Sequence, residues 1–269
     1  LPSFQLGSMA FLISVVNGFS GIQSIGFHRN ESKDPSQTIP TAIKWSVVIV
    51  LIFAIVTTLT IAMVIPHEKL ILIGGIIQTI HYLFELYGLV WLEPIIVCLI
   101  VLGVLAEITS WVIGPSKGIA AASQSGYLFK KGGKLNKCGV PINVLIAQGI
   151  LSTLLASVVI FTPSISFAYW LLSVLTGQFA LLMWVMVFSS VLFHLYTESI
   201  PAFWLKTASI VGLLVSLSIA IFGYFPPTSM AKTFGDVILY ESFLFGGLIL
   251  FVITPLLVHY FRTRIRRHL

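Results

Sequence analysis

Gly18-Phe19-Ser20-Gly21-Ile22-Gln23 interrupts an apolar run from Met9 to Phe27 that is otherwise long enough to cross a bilayer. A spanning helix satisfies its backbone groups internally, because lipid offers no partners. Two glycines with Ser20 and Gln23 near the middle of such a run predict a helix that breaks there, with Gly18 and Gly21 both in non-helical backbone. Breaks persist at membrane depth only where they line a cavity or are buried in protein, and in transporters they hold substrate through half-helix ends and freed backbone groups. The same residues also fit a plain helix with packing glycines, since small residues let helices approach closely. The segment alone leaves both readings open.

Composition settles the class. Of 269 residues, 57% are hydrophobic and 9% charged, and the mean hydropathy is +1.03; soluble domains carry about 25% charge. The chain is therefore a polytopic membrane protein whose partner is the lipid bilayer. The net charge of +6 follows from its topology, and no nucleic-acid partner is expected. Cys98 and Cys138 fall in a span and in a Lys-rich loop and are not expected to pair. The opening Leu1-Pro2-Ser3-Phe4 has neither an initiator Met nor a signal-peptide pattern, so the chain is expected to be a piece of a longer protein.

Seven stretches reach the roughly 20 apolar residues a span needs: 8–27, 42–65, 92–113, 141–161, 167–192, 202–225 and 237–260. Pro66, Pro94, Pro115, Pro141, Pro163, Pro201 and Pro226 fall at or near their ends, where proline does little harm. Residues 70–92 tempt an eighth span but carry Gln78, His81 and Glu85. Charge placement decides. With seven spans, all of the 15 Lys and Arg residues except Lys69 and Lys232 fall on one side. The positive-inside tendency then places the first residue outside and the C-terminus in the cytoplasm. Residues 70–92 are left as one or two short helices at the outer surface or partly re-entrant.

Glu107 is the deepest acid, about 13 Å along the helix from Ser116 at the cytoplasmic end. A carboxylate there costs about 2.5–3.5 kcal/mol on insertion scales, so it faces either a substrate or ion path or a structural partner on a neighbouring helix. Trp111 lies one turn further on the same face and either walls that path or packs against a neighbour. Six scattered histidines show no i,i+4 pair and no cysteine beside them, so no metal site is expected. Lys130-Lys131-Gly132-Gly133-Lys134 imitates a phosphate loop, but the glycine spacing is wrong and Leu135 stands where Ser or Thr should ligate Mg²⁺. It reads as a basic loop against anionic lipid. No cofactor and no enzymatic activity are expected.

Ile61-Ala-Met-Val-Ile-Pro66, Gly103-Val-Leu-Ala-Glu-Ile-Thr-Ser-Trp-Val-Ile-Gly-Pro-Ser-Lys-Gly118 and Asn136-Lys-Cys-Gly-Val-Pro141 resemble the glutamate/GABA antiporter family of the amino acid–polyamine–organocation (APC) superfamily. Asn30-Glu31 with Pro35 and Pro40 fits the loop after the broken helix. The resemblance covers about the first 150 residues by motif and the rest by hydropathy. It implies an all-α LeuT-type transporter of twelve spans, of which this chain matches spans six to twelve. Residues 1–269 would then be a single transmembrane domain, with the second inverted repeat at about 8–193 and two further helices at about 202–260. Spans one to five are missing from the sequence, including span one, which by the resemblance supplies the other half of the site. The implied site for an amino acid substrate is Gly18, Phe19, Ser20, Gly21, Ile22 and Gln23, with Glu107 and Trp111 on the same path. Three departures stand out. Gln23 replaces the family's acidic residue, Gln178 and Leu182 stand where span ten should carry tyrosines, and the loop at 198–206 lacks a Pro-Gly-Gly run.

The resulting expectation is part of an amino acid antiporter of a bacterial inner membrane, working by alternating access. A remnant of a disrupted transporter gene is the alternative. A seven-span receptor or retinal protein is disfavoured, because the last span has no Lys for a Schiff base and no Asp-Arg-Tyr run follows the third.

Overall fold

A computed structural model describes residues 9–66, 74–129, 131–162, 164–227 and 233–267. Among them every regular element is helical: α1 (Leu12–Phe19), α2 (Pro35–Val64), α3 (Gly75–Leu86), α4 (Glu93–Gln124), α5 (Ile142–Ala156), α6 (Ile165–Thr197), α7 (Phe203–Phe222) and α8 (Phe234–Arg267), with 3₁₀ segments at Ile22–Glu31, Val90–Leu92 and Ser157–Phe161. Lys69, Lys130 and Lys232, and the side chains of Arg29 and the C-terminal arginines, all used above for orientation, lie outside the described residues.

Among the described residues five stretches are long and apolar enough to cross a membrane: Pro35–Val64, Val90–Gln124, Ile165–Thr197, Phe203–Phe222 and Phe234–Thr254. Two shorter apolar stretches, Leu12–Phe27 and Ile142–Ala156, stand at the first and fourth expected spans. The fourth continues from α5 into the 3₁₀ segment Ser157–Phe161. The 12-residue α3 is about 18 Å long, too short for the hydrocarbon core. That fits the reading of residues 70–92 as short helices.

One span end moves. Helix α4 does not stop near Pro115 but runs through it to Gln124. Proline lacks the N–H that would bond the carbonyl four residues back, here that of Trp111. The Gln148 Nε2 of α5 approaches that carbonyl at 3.5 Å, at the long limit of a hydrogen bond. Beyond Gln124, Gly126 at φ 91° makes the left-handed cap, and the Tyr127 N–H reaches the Ala122 carbonyl at 2.9 Å.

The chain forms two compact units divided between Ser20 and Gly21. The first joins α1 to the residues of Phe161–Leu257. Its core holds Ile13, Trp170, Leu171, Val174, Tyr240 and Leu244, all nearly or fully buried. Ile13 is seated against Gly177 of α6 and Gly223 after α7, so close that a Cβ at either glycine would collide with it. In lipid this contact substitutes for the hydrophobic drive that water would supply. Three polar side chains bridge elements by bonding backbone carbonyls. Asn17 Nδ2 donates to Ser173 at 2.9 Å, Gln178 Nε2 to Ala220 at 2.9 Å, and the Tyr240 hydroxyl to Gly223 at 2.6 Å.

The second unit holds the 3₁₀ segment Ile22–Glu31 and α2 to α5. The Phe27 ring lies on Gly114 and Gly118 of α4, where a Cβ would sit 3.3 and 2.6 Å from it. The His81 Nδ1 of α3 meets Glu93 Oε2 at 2.9 Å, tying the short helix to the start of α4. That hydrogen bond, the Glu93 charge and, more weakly, Glu85 raise the His81 pKa above the ordinary histidine value.

Candidate functional site

Helix α1 stops at Phe19, and the 3₁₀ segment starts at Ile22, so the apolar run is not one continuous α-helix. The last turn of α1 is closed by Ser20 N–H to Asn17 C=O at 3.1 Å, and the ladder resumes with Ser24 N–H to Gly21 C=O at 2.9 Å. Between them, the carbonyls of Gly18, Phe19 and Ser20 take no hydrogen bond from a described residue. Residue Gly21 has φ 101°, a conformation that L side chains rarely adopt, so the break falls where only glycine bends without strain.

The expectation for Gly18 is corrected. It lies inside α1, one residue before its end, and a Cβ there would meet nothing within 4 Å. A glycine in a last helical turn costs only propensity, so the helix carries through it and yields at Gly21, where positive φ is needed.

Two polar groups at the break are bonded locally. The Ser20 hydroxyl donates back to the Val16 carbonyl at 3.1 Å. The Gly21 N–H donates to Gln23 Oε1 at 3.1 Å. Gln23 therefore caps a freed amide from two residues away and adds no charge, whereas an acid at this position would bring a negative charge to it. The Ile22 residue opens the 3₁₀ segment and is half-buried.

Helix α4 supplies the facing wall for Gly21. A Cβ on Gly21 would lie 3.2 Å from Trp111 Cζ2, so the indole rests on the glycine. Trp111, Gly114 and Gly118 stand at i, i+3 and i+7, one face of α4 on which the 3₁₀ segment lies. The structure thus joins Gly21 and Trp111, which are 90 positions apart in sequence. Glu107 is one turn before Trp111, exposed, and forms no hydrogen bond or ion pair with a described residue.

Two polar residues, one in each unit, carried no sequence expectation. Asn17, just before the break, keeps its Oδ1 buried without a partner among the described residues, and so does Gln148 its Oε1. The available signal was a lone amide in an apolar stretch. An apolar hollow of about 350 Å³ also opens in the first unit, lined by Val15, Phe19, Trp184, Phe188, Val215 and Ile219. It suits hydrocarbon and not a zwitterion, whose charges would stay unpaired there. Among the described residues no group of His, Cys, Asp and Glu is placed to hold a metal ion.

Comparison with known proteins adds the lineage. A family model described as "Amino acid permease" matches residues 1–254. An uncharacterized transporter of Legionella pneumophila is 33% identical over 265 residues, covering 95% of this chain and 57% of its own length. A glutamate/gamma-aminobutyrate antiporter of Lactococcus lactis strain IL1403 is 28% identical over 272 residues, covering 96% of this chain and 54% of its own. One of the same name from strain MG1363 is 34% identical over 164 residues, covering 60% and 33%. The chain spans about half the length of the first two relatives.

Proposed function

The chain belongs to the amino acid permease family, and from that premise we propose that it forms part of an amino acid exchanger working by alternating access, with residues 18–23 holding the substrate. The observation that carries the reading is the run of three carbonyls, at Gly18, Phe19 and Ser20, that take no hydrogen bond from a described residue. They lie at the C-terminal end of α1, the negative end of a helix dipole, and would attract the ammonium group of an amino acid. Trp111 covers Gly21 and would limit the space beside the break, while Glu107 would line the approach. The other wall would come from spans absent from this sequence, and the chain alone would then bind weakly and not transport. Charge asymmetry supports an orientation with the C-terminus cytoplasmic.

The relatives named as glutamate/gamma-aminobutyrate antiporters make those two amino acids the first substrates to try. Gln23 tempers this. With its amide engaged by Gly21, it offers neither charge nor titration, so discrimination among amino acids would fall to other groups. The remnant-gene alternative is not favoured, because the family match runs along almost the whole chain. Proteoliposomes carrying the complete transporter and preloaded with unlabelled amino acid should take up labelled glutamate or gamma-aminobutyrate by exchange. Uptake that needs no internal amino acid would contradict exchange, and no uptake of any amino acid would contradict the reading as a whole.

A further inference from the structure

We propose that the described residues joining α4 to α5, 125–129 and 131–141, form a preorganised docking surface for anionic lipid headgroups. Lys117, Lys130, Lys131, Lys134 and Lys137 occur in a stretch with no Asp or Glu between Glu107 and Glu198. Lys131, Lys134 and Lys137 are exposed and form no ion pair with a described residue. Their positive field has no internal counter-charge in the segment itself.

The segment is also held in shape. The Asn136 Oδ1 accepts from the amides of Cys138 at 2.9 Å and Val140 at 2.8 Å, and the Asn136 N–H donates to the Val140 carbonyl at 2.9 Å. From the flanking helices, Gln124 Nε2 donates to the Gly133 carbonyl at 3.1 Å, and Asn143 Nδ2 to that of Lys131 at 2.9 Å. Gly132 and Gly133 press on the end of α4, where a Cβ would sit 2.7 Å from Ser123 Oγ and 3.1 Å from Gln124 Cγ. The two glycines therefore serve packing, which explains a phosphate-loop look without phosphate-loop spacing. A loop already ordered loses less freedom when it docks.

Apolar residues decide the partner. Tyr127, Phe129 and Leu135 are 67%, 63% and 48% exposed among the lysines. A free phosphate or a nucleic acid would leave the leucine and the ring edges in water. A bilayer surface takes lysines at its phosphates and buries aromatic and aliphatic tips just below them. The segment follows the membrane-capable stretch Val90–Gln124, and at the interface beyond that helix its lysines would meet lipid headgroups.

The chain carries its own reporter. After Cys98→Ser, and after replacement of any cysteine outside these 269 residues, the exposed Cys138 can take a fluorophore. In nanodiscs containing headgroup-quencher lipid, phosphatidylglycerol should produce quenching that pure phosphatidylcholine does not, and high salt should reverse it. Each lysine at an anionic surface strengthens association about fivefold, so Lys131→Gln, Lys134→Gln and Lys137→Gln together should weaken docking about a hundredfold. These positions are exposed, so the triple variant should still fold. Equal quenching in both lipids, or an unaffected triple variant, would overturn the proposal. So would release of the probe by inorganic phosphate or a short oligonucleotide at constant ionic strength. An Asn136→Ala variant that docks as tightly as the wild type would overturn the preorganised part.

Discussion

Replacing Gly21 with alanine isolates the break from everything around it. Two costs arise. At φ 101° an L residue lies in sparsely populated territory, worth about 1–3 kcal/mol. The new Cβ would also stand 3.2 Å from Trp111 Cζ2, a few tenths of an ångström too close. The second cost is the smaller, because a side chain that is 41% exposed can swing aside. The dihedral term should therefore dominate, and it has two outlets. Either the break holds and stability falls, or the backbone relaxes toward helix and withdraws the carbonyls of Gly18, Phe19 and Ser20. The second outlet is the easier in a segment with so few bonds. Substrate affinity in the complete transporter should then drop about 5- to 150-fold for that range of energies. Equilibrium binding of labelled amino acid to detergent-purified protein measures it, with thermal unfolding as the control for stability. Gly21→Ala combined with Trp111→Phe separates the two costs, since the smaller ring relieves the contact but not the dihedral. The double variant should stay as impaired as Gly21→Ala. Wild-type affinity in Gly21→Ala, with unchanged thermal stability, would refute the reasoning.

Three other perturbations follow from separate parts of the structure. Glu107→Gln should slow exchange or change its pH dependence while membrane insertion stays normal; unchanged exchange at every working pH would make Glu107 a structural carboxyl. At α3, the raised His81 pKa means the tether to Glu93 contributes fully below the ordinary histidine value of about 6.5 and is lost as pH rises through the higher folded value. An NMR titration should find His81 above free histidine and Glu93→Gln should bring it back, whereas equal midpoints would contradict the pairing. Tyr240→Phe removes the 2.6 Å bond to the Gly223 carbonyl and should destabilise the first unit by about 1–2 kcal/mol in a denaturant titration; an unshifted midpoint would show that the carbonyl finds another donor.

The break was legible because its signal is local. Two glycines with polar neighbours in an otherwise apolar run have few continuous-helix explanations, and Gly21 fulfils the pattern with positive φ. Its exact place was not legible. Glycine permits unwinding without requiring it, so Gly18 stays helical while Gly21 does not. Pro115 misled in the same way: it marks a helix end in most settings, but here α4 passes through it beside Gln148. Polar residues inside spans announce that they have partners, yet those of Asn17, Gln178 and Tyr240 are carbonyls more than a dozen positions away. Sequence spacing holds no trace of that pairing. The Gly21 and Trp111 contact stands between these cases. Both residues drew attention separately, the first by conformation and the second by its place one turn from Glu107, and only the fold joins them.

The central claim is that the carbonyls freed at the break hold the amino group of the substrate. Solid-state NMR can measure this in the complete transporter, with ¹³C in the carbonyls of Gly18, Phe19 and Ser20 and ¹⁵N in a bound amino acid. The account predicts a dipolar coupling from the substrate nitrogen to at least one of these carbonyls at hydrogen-bond range. A substrate that is bound, seen through its own ¹⁵N signal, yet shows no coupling to any of the three would contradict it.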